Sequence, residues 1–232
     1  MTILTIIIPV YNETNTIVKI IDQILKIKIK KQIIVVDDCS TDGSKEKIIK
    51  NKRKISKVIF HKKNLGKGAA IRTAQKYIKG KLVIIQDADL EYNPKDYKKL
   101  IKPIIEKKSL VVYGSRVLGK NRYQTNDFTS LMRVFFNHIL TIISNFFNRQ
   151  RLTDAHTCYK VFDSKLFKKI KLNENGFAFC PEVTTKISKL KIDITEIAIS
   201  YKGRTYKQGK KISYLDGVLA IFALIKYKFF NI

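Results

Sequence analysis

Tryptophan is absent from this chain of 232 residues, methionine occurs twice, proline four times and cysteine three times. Cys39, Cys158 and Cys180 are odd in number, widely spaced and without a CxxC pair, which excludes a disulfide framework and a zinc knuckle. Reduced thiols in a cytoplasmic compartment are expected. The opening "MTILTIIIPVYNE" has neither a basic leader nor a small-residue cleavage site, so a strand is expected there rather than a signal peptide. No apolar run reaches the roughly 18 to 20 uncharged residues of a membrane span. Acid is scarce as well: 19 Asp and Glu stand against 46 Lys and Arg, a formal net charge of +27. That field favours anionic partners such as acidic headgroups, sugar phosphates or nucleic acid, while lysines spread along every segment equally serve to solvate a surface.

Hydrophobic residues make up 45% of the chain, enough for one substantial core and short for two, so a single domain over 1–232 is expected. Continuous apolar runs of strand length alternate with helical spacing. "LTIIIPV", "QIIVVDD", "KVIFH", "KLVIIQ" and "SLVVYGS" predict strands. Ile17, Ile20, Ile21, Ile24 and Leu25 recur on one helical face, a helix follows "STDGS", another covers "KGAAIRTAQKYIKG" up to Gly80, and Pro94 opens one behind Asn93. Buried strands joined by helices predict an α/β fold, a Rossmann-like, mainly parallel sheet with helices on both faces. Residues 1–120 form the nucleotide-binding half of that plan, 121–211 an acceptor half with an amphipathic helix at 128–148, and 212–232 a C-terminal helical segment.

In such sheets ligands sit beyond the carboxyl ends of the strands. Asp37 and Asp38 end one predicted strand, and Asp87, Asp89 and Glu91 follow another in "IIQDADLEYNP". Clustered carboxylates repel one another, and a bound cation relieves them; oxygen donors without neighbouring His or Cys suit Mg2+ or Mn2+ bridging a diphosphate. Taken singly, each acidic pair is also an ordinary turn former. "NLGKGAAIRTA" lacks the spacing of a phosphate loop, so Gly66 and Gly68 are read as permitting close packing and Lys67 as non-catalytic.

The strings "IIIPVYNE", "VVDDCSTDGS", "NLGKGAAIRTA", "QDADLEYNP" and "YGSR", in that order, resemble the inverting family-two glycosyltransferases of GT-A fold. "LTDAHTCYKVF", "GFAFCPEVTTKI" and "ISYKGRTYKQGKKISYLDG" are similar to the branch that contains dolichyl-phosphate and polyprenyl-phosphate mannosyl- and glucosyltransferases. The resemblance covers nearly the whole chain. It implies transfer of a hexose from a nucleotide diphosphate sugar, of GDP-mannose or UDP-glucose type, to a polyprenyl phosphate with inversion. It implies Asp89 and Glu91 as metal ligands, although many relatives carry Gln at the second position. Pro9, Tyr11, Glu13, Val36, Asp38, Asp87, Ala88, Asp89, Arg116, Arg204 and Lys210 would bind the donor. Arg116, Arg133, Asn137 and Arg204 would bind the acceptor phosphate. Asp87, Asp89, Arg116 and Arg204 would carry the chemistry, a guanidinium fork suiting a phosphate oxyanion.

From Phe128 to Asn148 an apolar surface including Leu131, Phe135, Ile139, Ile142, Ile143 and Phe146 faces a polar stripe of Arg133, Asn137, Thr141, Ser144 and Asn148. Core packing and a membrane-facing role both account for it, and the additional Phe136 and Phe147 favour the interface. "YLDGVLAIFALIKYKFF" repeats the pattern as a docking helix or surface anchor. A peripheral seat on the cytoplasmic face of a membrane is therefore expected. Asp154 and Glu182 stand either as bases for a hydroxyl acceptor or in supporting roles, ordering arginines and capping a helix. Two alternatives remain open at this level: a transferase acting on a saccharide of the cell envelope, and a non-catalytic module binding acidic membranes or nucleic acid. No RNA-binding aromatic signature supports nucleic acid as a partner.

Overall fold

The computed structural model describes residues 2–119, 128–204 and 214–230, apart from the side chains of residues 128–130, 133 and 214. The five predicted strands form as β1 (Leu4–Val10), β2 (Lys31–Asp37), β3 (Lys57–Phe60), β4 (Leu82–Ile85) and β5 (Val111–Ser115). Between them lie α1 (Ile17–Leu25), α2 (Ser44–Lys50), α3 (Lys67–Gln75) and α4 (Tyr97–Ile105). On α1 the expected Ile17, Ile20, Ile21 and Ile24 are all buried against the sheet, whereas Leu25 is 40% exposed. Asn93 caps a single 3-10 turn, Pro94–Asp96, that leads into α4, its side chain accepting from the Lys95 N–H. The helix expected to run to Gly80 stops at Gln75, and Gly80 is pressed against β1, where a Cβ would lie 2.6 Å from the Thr5 nitrogen.

The second half adds α5 (Phe128–Asn148), β6 (Lys160–Asp163), α6 (Ser164–Lys169), α7 (Phe179–Lys189), β7 (Ile194–Ala198) and α8 (Tyr214–Phe229). All seven strands join one sheet in the order β3-β2-β1-β4-β6-β5-β7. Every pairing is parallel except those of β6, which runs antiparallel to both β4 and β5. The chain leaves β1 towards β2 and β3 and then crosses back to β4, so a crevice opens where β1 and β4 end, the topological switch point at which such sheets bind ligands.

From Thr141 onward α5 lies with its polar stripe inward, the reverse of the core-packing expectation. Thr141, Ser144 and Asn148 are buried, while Phe135, Phe136, Ile142 and Phe146 are exposed, Phe146 by 80%. Hydrogen bonds account for the orientation. The Asn145 amide donates to the Leu152 carbonyl at 2.7 Å and accepts from the Leu152 N–H at 2.9 Å, and the Ser188 hydroxyl donates to the Asn148 carbonyl. α8 packs beside it through Phe147 and Phe229 and buries Ala220, Ala223, Leu224 and Tyr227. Its other face exposes Leu215, Leu219 and Phe222. Among the described residues, no helix is long and apolar enough to cross a membrane.

Candidate active site

The turn after β1 is knitted to the loop after β2. Asn12, at φ 51°, accepts the Thr41 N–H on its side-chain oxygen at 2.8 Å, and its own N–H donates to Ser40 Oγ at 2.9 Å. The Glu13 and Thr14 N–H groups donate to Ser44 Oγ and Asp42 Oδ2. This zipper holds the Glu13 side chain, 8% exposed, over the crevice, with Tyr11 more open at 36%. Pro9 and Val36 pair in register across β1 and β2 behind it.

Beyond β4, the buried Gln86 accepts from two buried tyrosine hydroxyls, Tyr97 at 2.6 Å and Tyr159 at 2.7 Å, and donates to the Asp87 carbonyl at 2.8 Å. The "DADLE" turn therefore starts from a rigid root, with Ala88 buried beneath it. Leu90 takes a left-handed φ of 63°, a strained conformation for a branched side chain, and the Asp89 carboxylate accepts the Glu91 N–H at 3.1 Å. Asp87 and Asp89 then meet different fates. Asp87 lies 2.5 Å from Lys67 Nζ, and although burial works against its ionisation, the Lys67 ammonium holds it below the usual carboxylate range. Burial pushes Asp89 up to about 7, reinforced by the charges of Asp87 and Glu91 and only partly offset by Arg204.

Arg204 enters this cluster on a strap laid across the turn. Tyr201 bridges Tyr92, the Lys202 N–H donates to the Glu91 carbonyl at 2.9 Å, and the Ser200 N–H donates to Asp96 Oδ2 at 2.7 Å. The Arg204 guanidinium donates to both Glu13 oxygens at 3.1 and 3.0 Å and to Asp89 Oδ2 at 3.2 Å. Glu91 accepts the Arg204 backbone N–H at 2.6 Å and the Tyr201 hydroxyl at 2.8 Å. Residues from three distant stretches thus converge, as the strand-end rule anticipates. Among the described residues no three His, Cys, Asp or Glu stand in an arrangement that could hold a metal. The donors are nonetheless of the right kind for a hard cation: all are oxygen, and Asp89, pushed up by burial and by the neighbouring Asp87 and Glu91 charges, would be relieved by added positive charge.

Arg116, just past β5, donates Nε and Nη2 to the two Asp154 oxygens at 2.7 Å each and lies 5.2 Å from the Tyr201 ring centre. Asp154 is therefore the positioner of an arginine. Its own backbone is held by Glu196, which accepts the Asp154 N–H at 2.9 Å. Glu182 caps no helix start; it accepts the N–H groups of Asn173 and Glu174 at 2.6 and 2.9 Å and so pins the loop before α7. Asn137 sits on α5 with its carbonyl accepting the Thr141 hydroxyl. The Arg133 side chain and the whole of Lys210 lie outside the described residues.

Asp38 is engaged with its own protein. Its carboxylate accepts from the Leu65 and Gly66 N–H groups at 2.9 and 2.6 Å and sits 2.6 Å from His61 Nδ1, an arrangement that sets the turn carrying Lys67. Gly66, at φ 95°, and Gly68 let the loop at 174–176 press on α3, where added Cβ atoms would fall 2.5 Å from the Asn175 oxygen and 2.3 Å from the Glu174 oxygen. Close packing at these glycines was expected; its partner is backbone from the second half of the chain. Sequence reasoning missed Gln86 and Tyr201, and it set Lys67 aside because "NLGKGAA" was tested only against a triphosphate loop. A lysine at the start of a helix facing an acidic strand end was the available signal.

The model of glycosyl transferase family 2 matches residues 5–171. The chain belongs to that family. It is a glycosyltransferase, and its fold agrees with solved GT-A structures. Glucosyl-3-phosphoglycerate synthase from Mycobacterium tuberculosis, solved with Mg2+ and uridine diphosphate, superposes with a TM-score of 0.72 over 97% of this chain and 79% of that one, at 17% identity. In sequence, an uncharacterized protein of Methanocaldococcus jannaschii is 28% identical over 97% of this chain and 92% of its own length. A dolichyl-phosphate beta-glucosyltransferase of Saccharomyces cerevisiae is 28% identical over 85% of this chain. One of Trichomonas vaginalis is 26% identical over the same share. The aligned region spans 66% and 65% of these two glucosyltransferases, just under two thirds of their length.

Proposed function

We propose that this glycosyltransferase moves a hexose from a nucleotide diphosphate sugar to a polyprenyl phosphate, with inversion, at a membrane surface. The observation that carries the reading is the convergence of Glu13, Asp89, Glu91 and Arg204 at the ends of β1 and β4, beside the Lys67–Asp87 pair. Excess carboxylate and a guanidinium on one strap suit a leaving group that is a metal-bound diphosphate. Asp89 and Glu91 are the residues that would hold Mg2+ or Mn2+, which when bound neutralises charge developing on the departing diphosphate. Asp87, held below the usual carboxylate range by Lys67, would accept hydrogen bonds from the hydroxyls of the donor. Glucose is the hexose favoured by the activity named for the relatives from yeast and Trichomonas.

A phosphate acceptor is already anionic at neutral pH and attacks the anomeric carbon without a base; one direct displacement inverts that carbon. Asp154 is saturated by Arg116 and Glu182 by the loop it pins, which supports an acceptor needing no carboxylate base. The exposed apolar faces of α5 and α8, on a chain of net charge +27, support a peripheral seat on an acidic bilayer. Incubation with radiolabelled UDP-glucose or GDP-mannose, Mn2+ and either a polyprenyl phosphate or free sugars tests the reading. Label extracted into organic solvent only with the lipid phosphate is the expected result. Label transferred only to free sugars would overturn it.

A further inference from the structure

We propose that a hollow at the far end of α8 binds the phosphate headgroup of an acidic membrane lipid, distinct from the donor crevice. The hollow, about 270 Å³, is lined chiefly by Lys169, Lys171, Lys186, Lys189, Tyr227 and Phe230, and among the described residues no acidic side chain lines it. It lies near where β4 begins: α6 opens with the Ser164 N–H donating to the Lys81 carbonyl just before that strand, whereas Asp87 and Asp89 follow its other end.

Its floor is built. Lys186 donates to Glu182 at 2.8 Å and to the Lys171 carbonyl at 2.5 Å, and its ammonium stands 4.4 Å from the centre of the buried Tyr227 ring. Lys189 donates to the Phe230 carbonyl at 3.1 Å, tying the last turn of α7 to the end of α8. Lys169 and Lys171 are exposed at the rim. Lysines also complement helix C-termini, and α6, α7 and α8 all end nearby. Each such end carries roughly half a negative charge. Three ends and Glu182 together leave the four ammonium groups with a positive surplus, since Glu174, which accepts the Tyr227 hydroxyl at 2.7 Å, is paired with Lys226; that surplus suits a phosphate monoester or diester.

The surroundings select a lipid over a free phosphate. Leu190 and Phe230, both in the lining, are 54% and 60% exposed, and Leu219 and Phe222 expose further apolar surface along α8. A phosphate bearing acyl chains satisfies both surfaces at once. A volume just under the usual range of roughly 300 to 1,000 Å³ for small-molecule sites fits a headgroup better than a whole ligand.

This inference rests on the membrane seat proposed above, and the experiment separates the two. The full chain is sedimented with phosphatidylcholine vesicles, with or without phosphatidylglycerol. Lys169, Lys171 and Lys189 are replaced by Gln together, and a control carries Gln at Lys28, Lys50 and Lys52, an equal loss of charge elsewhere. The expected result is wild-type binding to the acidic vesicles, weakened roughly tenfold or more by the first triple and about twofold or less by the control. Equal weakening by both triples, or none by the first, would overturn the hollow while leaving the membrane seat standing. Wild-type indifference to both vesicles would overturn both. A shift in melting temperature with inorganic phosphate, abolished by the first triple and unaccompanied by vesicle binding, would assign the site to free phosphate instead.

Discussion

Arg204 and Glu13 lie 191 positions apart in the chain and meet through two parallel hydrogen bonds at 3.1 and 3.0 Å. The pair closes the crevice between the ends of β1 and β4. It also places a permanent cation against Asp89, where an incoming divalent ion would feel its repulsion.

Replacing Arg204 by Gln is therefore expected to act in opposite directions on two readouts. Sugar transfer should fall by about 10² or more, the usual loss when one electrostatic donor to a transition state is removed. Mn2+ binding, measured calorimetrically without nucleotide, should tighten. Unchanged or weaker Mn2+ binding would show that the guanidinium does not oppose the metal.

Asp89→Asn tests the site more directly. Transfer should drop by roughly 10³ and Mn2+ binding should weaken, while the circular dichroism spectrum stays that of wild type. A variant that transfers sugar at the wild-type rate would place the metal and the chemistry elsewhere.

Gly68→Ala should destabilise the protein by about 1 to 3 kcal/mol, because the new Cβ would stand 2.3 Å from a backbone oxygen of Glu174. That backbone cannot yield freely: Arg72 holds the Asn173 carbonyl at 2.7 Å and Glu182 holds the Asn173 and Glu174 N–H groups. Gly176→Ala is the control, since nothing among the described residues lies within 4 Å of where its Cβ would stand, and its loss should stay within about 0.5 kcal/mol. Equal melting temperatures for the two variants would refute the close approach.

His156 supplies a pH dependence. Burial lowers it to about 4, helped by Lys160 and opposed by Asp154. With a folded value below the unfolded one of about 6.5, its neutral form contributes stability above that pH, and the contribution is lost as pH falls towards 4. Urea midpoints should decline between pH 6.5 and 4 in wild type and decline less in His156→Gln. Parallel slopes would remove His156 as the cause.

The first half was legible because β1, β2, β4 and β5 are buried on both faces and therefore read as unbroken apolar runs, and because Asn93–Pro94 and the isoleucine spacing of α1 are local signals. β6 and β7 were not read as strands. "KVFD" is short and ends in the Asp163 that caps α6, and "ITEIA" carries Glu196, whose carboxylate serves the Asp154 backbone across the fold. Asp38 was legible as a strand-end acid. Its service to the Gly66 turn was not, because that turn comes 28 positions later.

Local order and spacing alone placed carboxylates at strand ends and marked two amphipathic helices, since both follow from side-chain periodicity and from where a buried strand must stop. Tertiary structure decided that Arg204 rather than another cation meets those acids, that Lys67 pairs with Asp87, and that α5 turns Thr141 and Ser144 inward and Phe135, Phe136 and Phe146 out. Those outcomes depend on hydrogen bonds and charges between segments far apart in the chain, and no periodicity within either segment encodes its partner.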